Sequence, residues 1–449
     1  MRCFASLHRY FLLLAALGSV APVSFSQESP KLSHDVLTLS QSLDRALKGN
    51  PQLLIAQKEF SVTKTELKQA KSLFYPTVNL GLNYIRYRNE TLGVTPPDFG
   101  GLILEAPIAD SAGKRGNPLA ENLYVGRLGF RQTLYSGGRI VATYKLSQAN
   151  VSRSESALES LRQNIQYKTS CGFYSLLALG QKQDLIDKGI HELDGIETKG
   201  VSHIDQHDRL LLMQVKAGLR QQLSDVRNSY QKTLFDYLEA MGAELFTDVG
   251  VQGSLEIPPI KASLQETLAW AKENRPELKQ TQLQEEVDQL AVHLAMAERY
   301  PVFLLGGGYE LRNNDFPLTE SNWNAGLSMN IPLFDGFSSL AQIKRSRYKA
   351  EQGRYERVQL EDRIEKEVRS AFAGVEHWVS ELVVRRKEQA DFHAARQRFA
   401  KRGNSSFSRE RVDYLQWVLA ADLAVIDAQV QVCMAAAQLE KAMGRSLFE

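Results

Sequence analysis

Three cysteines in 449 residues are too few for a disulfide framework. Cys3 precedes an N-terminal apolar run. Cys171 and Cys433 are far apart in the chain, and two such thiols do not staple a protein of this size. Cys433 falls on an apolar helical stripe and reads as a small core residue. Excess charge of either sign is also missing. With the first 26 residues set aside, 52 basic and 52 acidic residues remain. That balance speaks against nucleic-acid binding, which needs a basic face. Beyond Tyr10–Leu17 no stretch approaches the ~20 apolar residues of a spanning helix. No nucleophile–base pair and no carboxylate constellation stands out, so the chain does not read as an enzyme and implies no cofactor.

Residues 1–26 read as a secretory signal. Arg2 and Arg9 make the start positive, Tyr10–Leu17 is its apolar core, and Ser24-Phe25-Ser26 is a small-x-small cleavage site. Charged residues at 24% and aromatics at 9% argue against wholesale disorder.

What the chain does have is repetition. Asn50-Pro51, Tyr75-Pro76, Gly81 and Tyr84 recur 225 residues later as Arg275-Pro276, Tyr300-Pro301, Gly306 and Tyr309. Leu134-Tyr135-Ser136-Gly137 and Phe173 recur 199 residues later as Leu333-Phe334-Asp335-Gly336 and Phe372. The unit is helix, two-stranded hairpin and very long helix, present twice. The first repeat spans residues 27–242, a linker containing Pro258-Pro259 covers 243–262, and the second repeat spans 263–449.

Four segments alternate with period two, as strands with different surroundings on their two faces do. They are expected at about 77–88, 123–134, 302–312 and 322–333. Leu80, Leu82, Tyr124, Phe130, Trp323 and Leu327 fall on the apolar face, with Leu134 at the end of its strand, and the first six are expected to meet lipid. Asn79, Asn83, Arg127, Arg131, Asn324 and Asn330 fall on the polar face and are expected to line a lumen. Each segment matches the ~9–11 tilted residues that cross a bilayer as a strand. Tyr124 and Trp323 stand at the loop end, where an aromatic girdle meets headgroups. The first hairpin loop, residues 89–122, is rich in Gly and Pro and is expected to protrude outside, whereas the second is short. In Gly306-Gly307-Gly308 the strand continues through Tyr309, so the run reads as barrel wall and not as a phosphate loop.

The remainder is helical. Residues 40–74 and 264–299 end at Tyr-Pro, and after each second strand a run of roughly 60 residues begins, ~90 Å long as helix. In the second of these, Ile364, Val368, Ala371, Val375, Trp378 and Leu382 form a narrow seam. Leu419, Leu423, Ile426, Val430, Cys433 and Ala437 form another in the C-terminal segment. Each long helix breaks near a Gly and returns, giving helical hairpins with tips at about 200–208 and 403–411. His203 and His207, with Asp205 and Asp208, have a metal-compatible spacing, but they fall at a tip where helical geometry does not hold them in place. No metal site is assigned.

Four membrane strands cannot close on themselves, and open edges in lipid strand backbone groups at several kcal/mol each. The chain must therefore share a barrel, eight-stranded as a dimer or twelve-stranded as a trimer. A conduit favours the larger, because eight strands are filled by their own side chains. The alternative is a periplasmic coiled-coil adaptor or spacer that conducts nothing; it would have no use for a repeated lipid-facing pattern.

Asn50-Pro51-Gln52-Leu53, Arg275-Pro276-Glu277-Leu278, the paired Tyr-Pro junctions, Leu134-Tyr135-Ser136-Gly137-Gly138 and Pro332-Leu333-Phe334-Asp335-Gly336 together resemble the TolC-like outer-membrane efflux proteins. The resemblance covers the mature chain. It implies a homotrimer whose twelve-stranded outer-membrane barrel continues into an α-helical coiled-coil barrel across the periplasm. It further implies docking of the tips onto a periplasmic adaptor and an inner-membrane pump or secretion ATPase. Carried over in this way, Gly200, Val201, Ser202, Gly403, Asn404 and Ser405 are adaptor-contact residues, and Glu410 and Asp413 belong to a periplasmic gate.

Overall fold

The protein is described by a computed structural model covering residues 36–86, 122–200, 206–245, 249–256, 262–313, 316–401 and 409–446. The expected signal, residues 89–121 of the long loop, His203, Asp205, and the tip residues Val201, Ser202, Gly403, Asn404 and Ser405 lie outside these. In chain order the elements are β1 (Val36–Leu37), α1 (Leu39–Gly49), α2 (Pro51–Ser72), β2 (Thr77–Arg86) and β3 (Asn122–Ser136). The two long helices of the first half follow, α3 (Arg139–Gly200) and α4 (Gln206–Met241), and then β4 (Gly250–Val251). The second half comprises α5 (Leu264–Asn274), α6 (Pro276–Ala297), β5 (Val302–Asn313), β6 (Glu320–Asn330), α7 (Ser338–Lys401) and α8 (Arg409–Met443).

Each repeat opens on a capping box. The Thr38 hydroxyl accepts from the Gln41 N–H while the Gln41 side chain accepts from the Thr38 N–H. Ser263 and Glu266, 225 residues on, do the same. This extends the duplication to a feature that sequence matching alone did not bring out. The segments expected to be continuous helices at 40–74 and 264–299 are each broken in two. Asn50 and Arg275 adopt extended backbone (φ −66°, ψ 120° and φ −68°, ψ 115°), as the residue before a proline prefers. Pro51 and Pro276 then start new helices at the position where a missing N–H costs nothing.

Those two breaks are where the returning helices end. α4 closes with Gly242 at φ +68°, its N–H bonding to the Glu239 carbonyl and that of Ala243 to Leu238. α8 closes identically with Gly444 at φ +70°, using Lys441 and Glu440. These are Schellman ends. A Cβ on Gly242 would lie 2.4 Å from the Gly49 carbonyl oxygen, and one on Gly444 2.8 Å from that of Asn274. The Asn50 amide donates to the Ala240 carbonyl at 2.8 Å, and the Arg275 guanidinium to that of Lys441 at 3.0 Å. Each return helix is thus stacked end-on against the start of α2 or α6.

The interval 243–262, expected to be a linker, is packed structure in its described part. β4 pairs in parallel with β1 (Val36 with Gly250, Leu37 with Val251). Val249 and Leu255 are buried with Phe173, Tyr237 and Cys433. The Cys433 thiol faces the Leu255 carbonyl at 3.5 Å, and burial pushes its pKa up to about 12. It is a core residue.

α3 and α7 have 62 and 64 residues, about 95 Å of helix each. Ile186, Leu193, Leu212, Leu219, Leu415 and Leu423 join α3, α4 and α8 in one apolar seam. Ile364, Val368, Ala371 and Val375 of α7 meet Leu439 and Met443 of α8 in another. The expectation that no second apolar run exists needs correction. α8 is, among the described residues, the one helix long and apolar enough to cross a bilayer. Its side chains are instead spent on the bundle, with Leu419, Ile426, Val430, Cys433 and Ala437 all buried. A helix packed on α3 and α7 along much of its length needs apolar residues on more than one stripe.

Candidate functional site

β2, β3, β5 and β6 form one antiparallel sheet in that order, so β2 and β6 are its two edges. In antiparallel pairing, residues directly opposite one another share a face, and the register therefore sorts every side chain. One face carries the rows Leu80–Leu128–Tyr309–Trp323 and Val78–Phe130–Gly307–Ala325, with Leu82, Tyr84, Tyr124, Leu305 and Leu327. The other carries Asn79–Gly129–Gly308–Asn324, Gly81–Arg127–Glu310–Asn322 and Thr77–Arg131–Gly306–Gly326, with Asn83 and Asn330. All six residues expected on the polar face lie together, as do the six expected toward lipid.

The apolar face is bare in the single chain. Leu80 is 70% exposed, Leu82 74%, Trp323 75% and Leu327 64%, a contiguous patch that a water-soluble monomer does not normally present. Aromatic rings bound it at both ends: Tyr84 stacked on Tyr124 (4.8 Å) with Trp323 at the loop end, and Tyr135 against Phe303 (6.1 Å) with Phe334 against Phe337 (5.5 Å) at the helical end.

Two strand details differ from expectation. Between Thr133 and Tyr135 the β3–β5 register shifts. Leu134 is therefore a bulge residue, and Tyr135 takes the place opposite Phe303. β6 ends at Asn330, short of the expected 333, because its partner β5 begins at Val302, opposite Asn330, and Pro332 has no N–H to extend the ladder.

The polar face holds an ion pair that sequence reasoning missed. Arg127 of β3 donates from Nε and Nη2 to Glu310 Oε2 of β5 at 2.9 and 2.5 Å. Arg312 and Glu320 pair at 3.3 Å nearer the loop end. The Arg and Glu parities were readable, but which residues oppose each other depends on register.

At the opposite end of the molecule, Gly200 is the last residue of α3, Glu410 is exposed in the first turn of α8, and Asp413 is half-buried one turn later. His207 and Asp208 lie in the first turn of α4; among the described residues no group of three or more His, Cys, Asp or Glu gathers as metal ligands. Charged contacts tie the hairpins together here. Glu192 of α3 pairs with Arg396 of α7, and Lys182 of α3 with Asp427 of α8. Asp422 of α8 accepts from Gln389 at 2.9 Å and lies 2.8 Å from His393 Nε2. Within the first hairpin, Lys216 of α4 is nearly buried between Asp194 (2.6 Å) and Glu197 of α3. Burial pushes the Lys216 ammonium down, but the hydrogen bonds to the two carboxylates outweigh it and hold its pKa above the usual value. The same hydrogen bond holds the Asp194 carboxyl below its usual range.

The outer membrane efflux protein family matches residues 42–189 and 268–445. Among solved structures, the CmeC outer membrane channel of Campylobacter jejuni superposes with a TM-score of 0.76 at 14% identity, covering 92% of this chain and 87% of that one. The open-state MtrE outer membrane channel of Neisseria gonorrhoeae gives 0.75 at 13%, covering 91% and 89%. The outer membrane protein VceC of Vibrio cholerae gives 0.72 at 14%, covering 91% and 96%. No curated protein matches the chain.

Proposed function

The chain belongs to the outer membrane efflux protein family, and on that footing we propose that it is the homotrimeric exit duct of a tripartite efflux or type I secretion system. One observation carries the reading: a two-faced, four-stranded wall with two open edges, β2 and β6. Placed in a bilayer alone, those edges would leave backbone groups unpaired at several kcal/mol each. Pairing the β6 edge of one copy with the β2 edge of the next removes both, and three copies make twelve strands. Asn79, Asn83, Arg127, Arg131, Asn324 and Asn330 then line a solvent-filled lumen, while Leu80, Leu82, Tyr124, Phe130, Trp323 and Leu327 meet lipid.

The same closure gathers α2, α3, α6 and α7 from three copies into a helical tunnel reaching into the periplasm. Its far end carries the tip residues Gly200, Val201, Ser202, Gly403, Asn404 and Ser405, which we assign to contact with a periplasmic adaptor. Energy comes from an inner-membrane pump or secretion ATPase. Glu410 and Asp413, repeated by three-fold symmetry, form rings of like charge that narrow the entrance.

The test is electrical. Purified protein from outer membrane, migrating as a heat-modifiable trimer, should open planar bilayers, and Asp413→Ala should raise the conductance. A trimer that inserts but conducts in neither form removes the duct; a monomer in the soluble periplasm removes the membrane placement as well.

A further inference from the structure

We propose that the outward groove between α6 and α7, at the foot of the sheet, is a binding site for an anionic phospholipid headgroup of the periplasmic leaflet. The inference rests on the outer-membrane reading. The groove, about 670 Å³, is lined by Met296 at the end of α6, by Arg299 and Tyr300 just beyond it, and by Leu340, Lys344 and Arg347 from the start of α7. Arg299, Lys344 and Arg347 are exposed, and none of them has a carboxylate partner among the described residues. From Ser338 to Ala350 the chain carries Lys344, Arg345, Arg347 and Lys349 and no acid.

Chirality decides which side of the wall the groove opens on. The Gly307 carbonyl lies beside Gly129 of β3, while the Asn324 carbonyl of β6 lies beside Gly307, so the Gly307 backbone groups face β3. Gly307 belongs to the apolar face. For L-residues seen from that face, with β5 rising from the helices, β3 then stands to the right and β6 to the left. α6, which leads into β5, is therefore to the right of α7, which follows β6. Gly353 and Arg357 meet Asp288 and Glu285 of α6 and mark the side of α7 that faces it. A right-handed helix descending from the sheet next turns Leu340, Lys344 and Arg347 toward the viewer. The groove therefore opens on the lipid side.

Above it the apolar band ends in large, well-exposed hydrophobic side chains. Leu333 is 92% exposed, Phe334 77% and Phe337 67%. Phe337 is held at φ +67°, a left-handed conformation that a bulky residue rarely adopts. Aromatic rings at the boundary, with Lys344 (over the Tyr348 ring) and Arg347 about two to three helical turns below them and free of carboxylate partners among the described residues, match a phosphate group whose acyl chains run up along Leu333 and Phe334.

Native mass spectrometry of the trimer released from nanodiscs of phosphatidylglycerol and phosphatidylcholine provides the test. Wild type should retain phosphatidylglycerol. The variant Arg299→Gln/Lys344→Gln/Arg347→Gln should lose it by at least about tenfold, since each basic side chain near an anionic surface contributes about fivefold. Arg345→Gln/Lys349→Gln, on the opposite side of α7, should retain it, as should Arg299→Lys/Arg347→Lys. Competition by millimolar inorganic phosphate would show a free-anion site and overturn the lipid assignment. Equal losses in both glutamine variants would reduce the site to diffuse charge and also overturn it. Trimers of every variant that still insert and conduct separate these outcomes from a failure of the duct reading.

Discussion

Arg127 and Glu310 illustrate how a single register turns two unremarkable charges into an ion pair. They face each other on the polar side of the sheet at 2.5 Å, so their charges cancel. Arg127→Gln leaves Glu310 unpaired, and three-fold repetition would make a ring of carboxylates in the lumen. The expected result is a shift toward cation selectivity, read as a change in reversal potential across a salt gradient. Glu310→Gln should shift it the other way. Lys216 makes the corresponding point near the tips. Asp194 is held below its usual pKa of 3.8, so its contribution is complete above about pH 4 and is lost as the pH falls further. Lys216 is held above its usual 10.5, so its contribution persists below that pH and is lost as the pH rises beyond it. Lys216→Met should speed hydrogen exchange around residues 190–197 and 212–219 at neutral pH. Corrected for intrinsic rates, the difference from wild type should shrink as the pH falls below 3.8 and Asp194 becomes protonated.

Among the elements, the breaks at Asn50-Pro51 and Arg275-Pro276 matter more than their brevity suggests. The dipeptides stood out in the sequence as repeated, yet their work is done on residues 190 and 166 positions away, the carbonyls of Ala240 and Lys441. Arg275 is nearly buried and also binds Glu277 and Glu367. Arg275→Ala strips two hydrogen-bond acceptors, the Lys441 carbonyl and Glu367, together with the neighbouring charge of Glu277, and should cost about 3 kcal/mol, whereas Asn50→Ala removes one cap and should cost about 1 kcal/mol. Thermal dissociation of the trimer on gels should fall further for Arg275→Ala, with Arg275→Asn intermediate. Gly444→Ala should resemble Arg275→Ala, because a Cβ at φ +70° collides with the stacked helix start. Period-two alternation made the strand faces legible, and the bulge at Leu134 was not, because a bulge is a relation between two strands. The break of each early helix was written locally, because Pro51 and Pro276 push the preceding residue out of helical backbone; what the sequence hid is the return helix stacked on each break.

At the scale of the whole molecule, β2 and β6 stand at opposite edges of a four-stranded sheet, roughly 14 Å apart at the usual strand spacing. That is far beyond disulfide reach within one chain. Tilted strands close a barrel only with a stagger in register, so the seam calls for a scan: one cysteine on the polar face of β2 (Asn79 or Asn83) and one on the polar face of β6 (Asn322, Asn324, Gly326, Ser328 or Asn330), in a background with Cys171 and Cys433 replaced by Ala. At the matching register the pair should cross-link neighbouring subunits, giving a ladder of dimers and trimers under oxidation. Products running only as monomer across the whole scan would refute closure of the barrel through these edges.

By itself the sequence determined the duplicated order of elements, the two faces of each strand and the length of the long helices, because periodicity and proline grammar are local properties of the chain. Tertiary structure alone decided the rest. It settled which residues oppose each other across the wall, how each return helix is capped by a distant Asn or Arg, and that Val249 and Leu255, between the repeats, belong to the core. Those depend on neighbours brought together from far along the chain, and no local pattern encodes a distant partner.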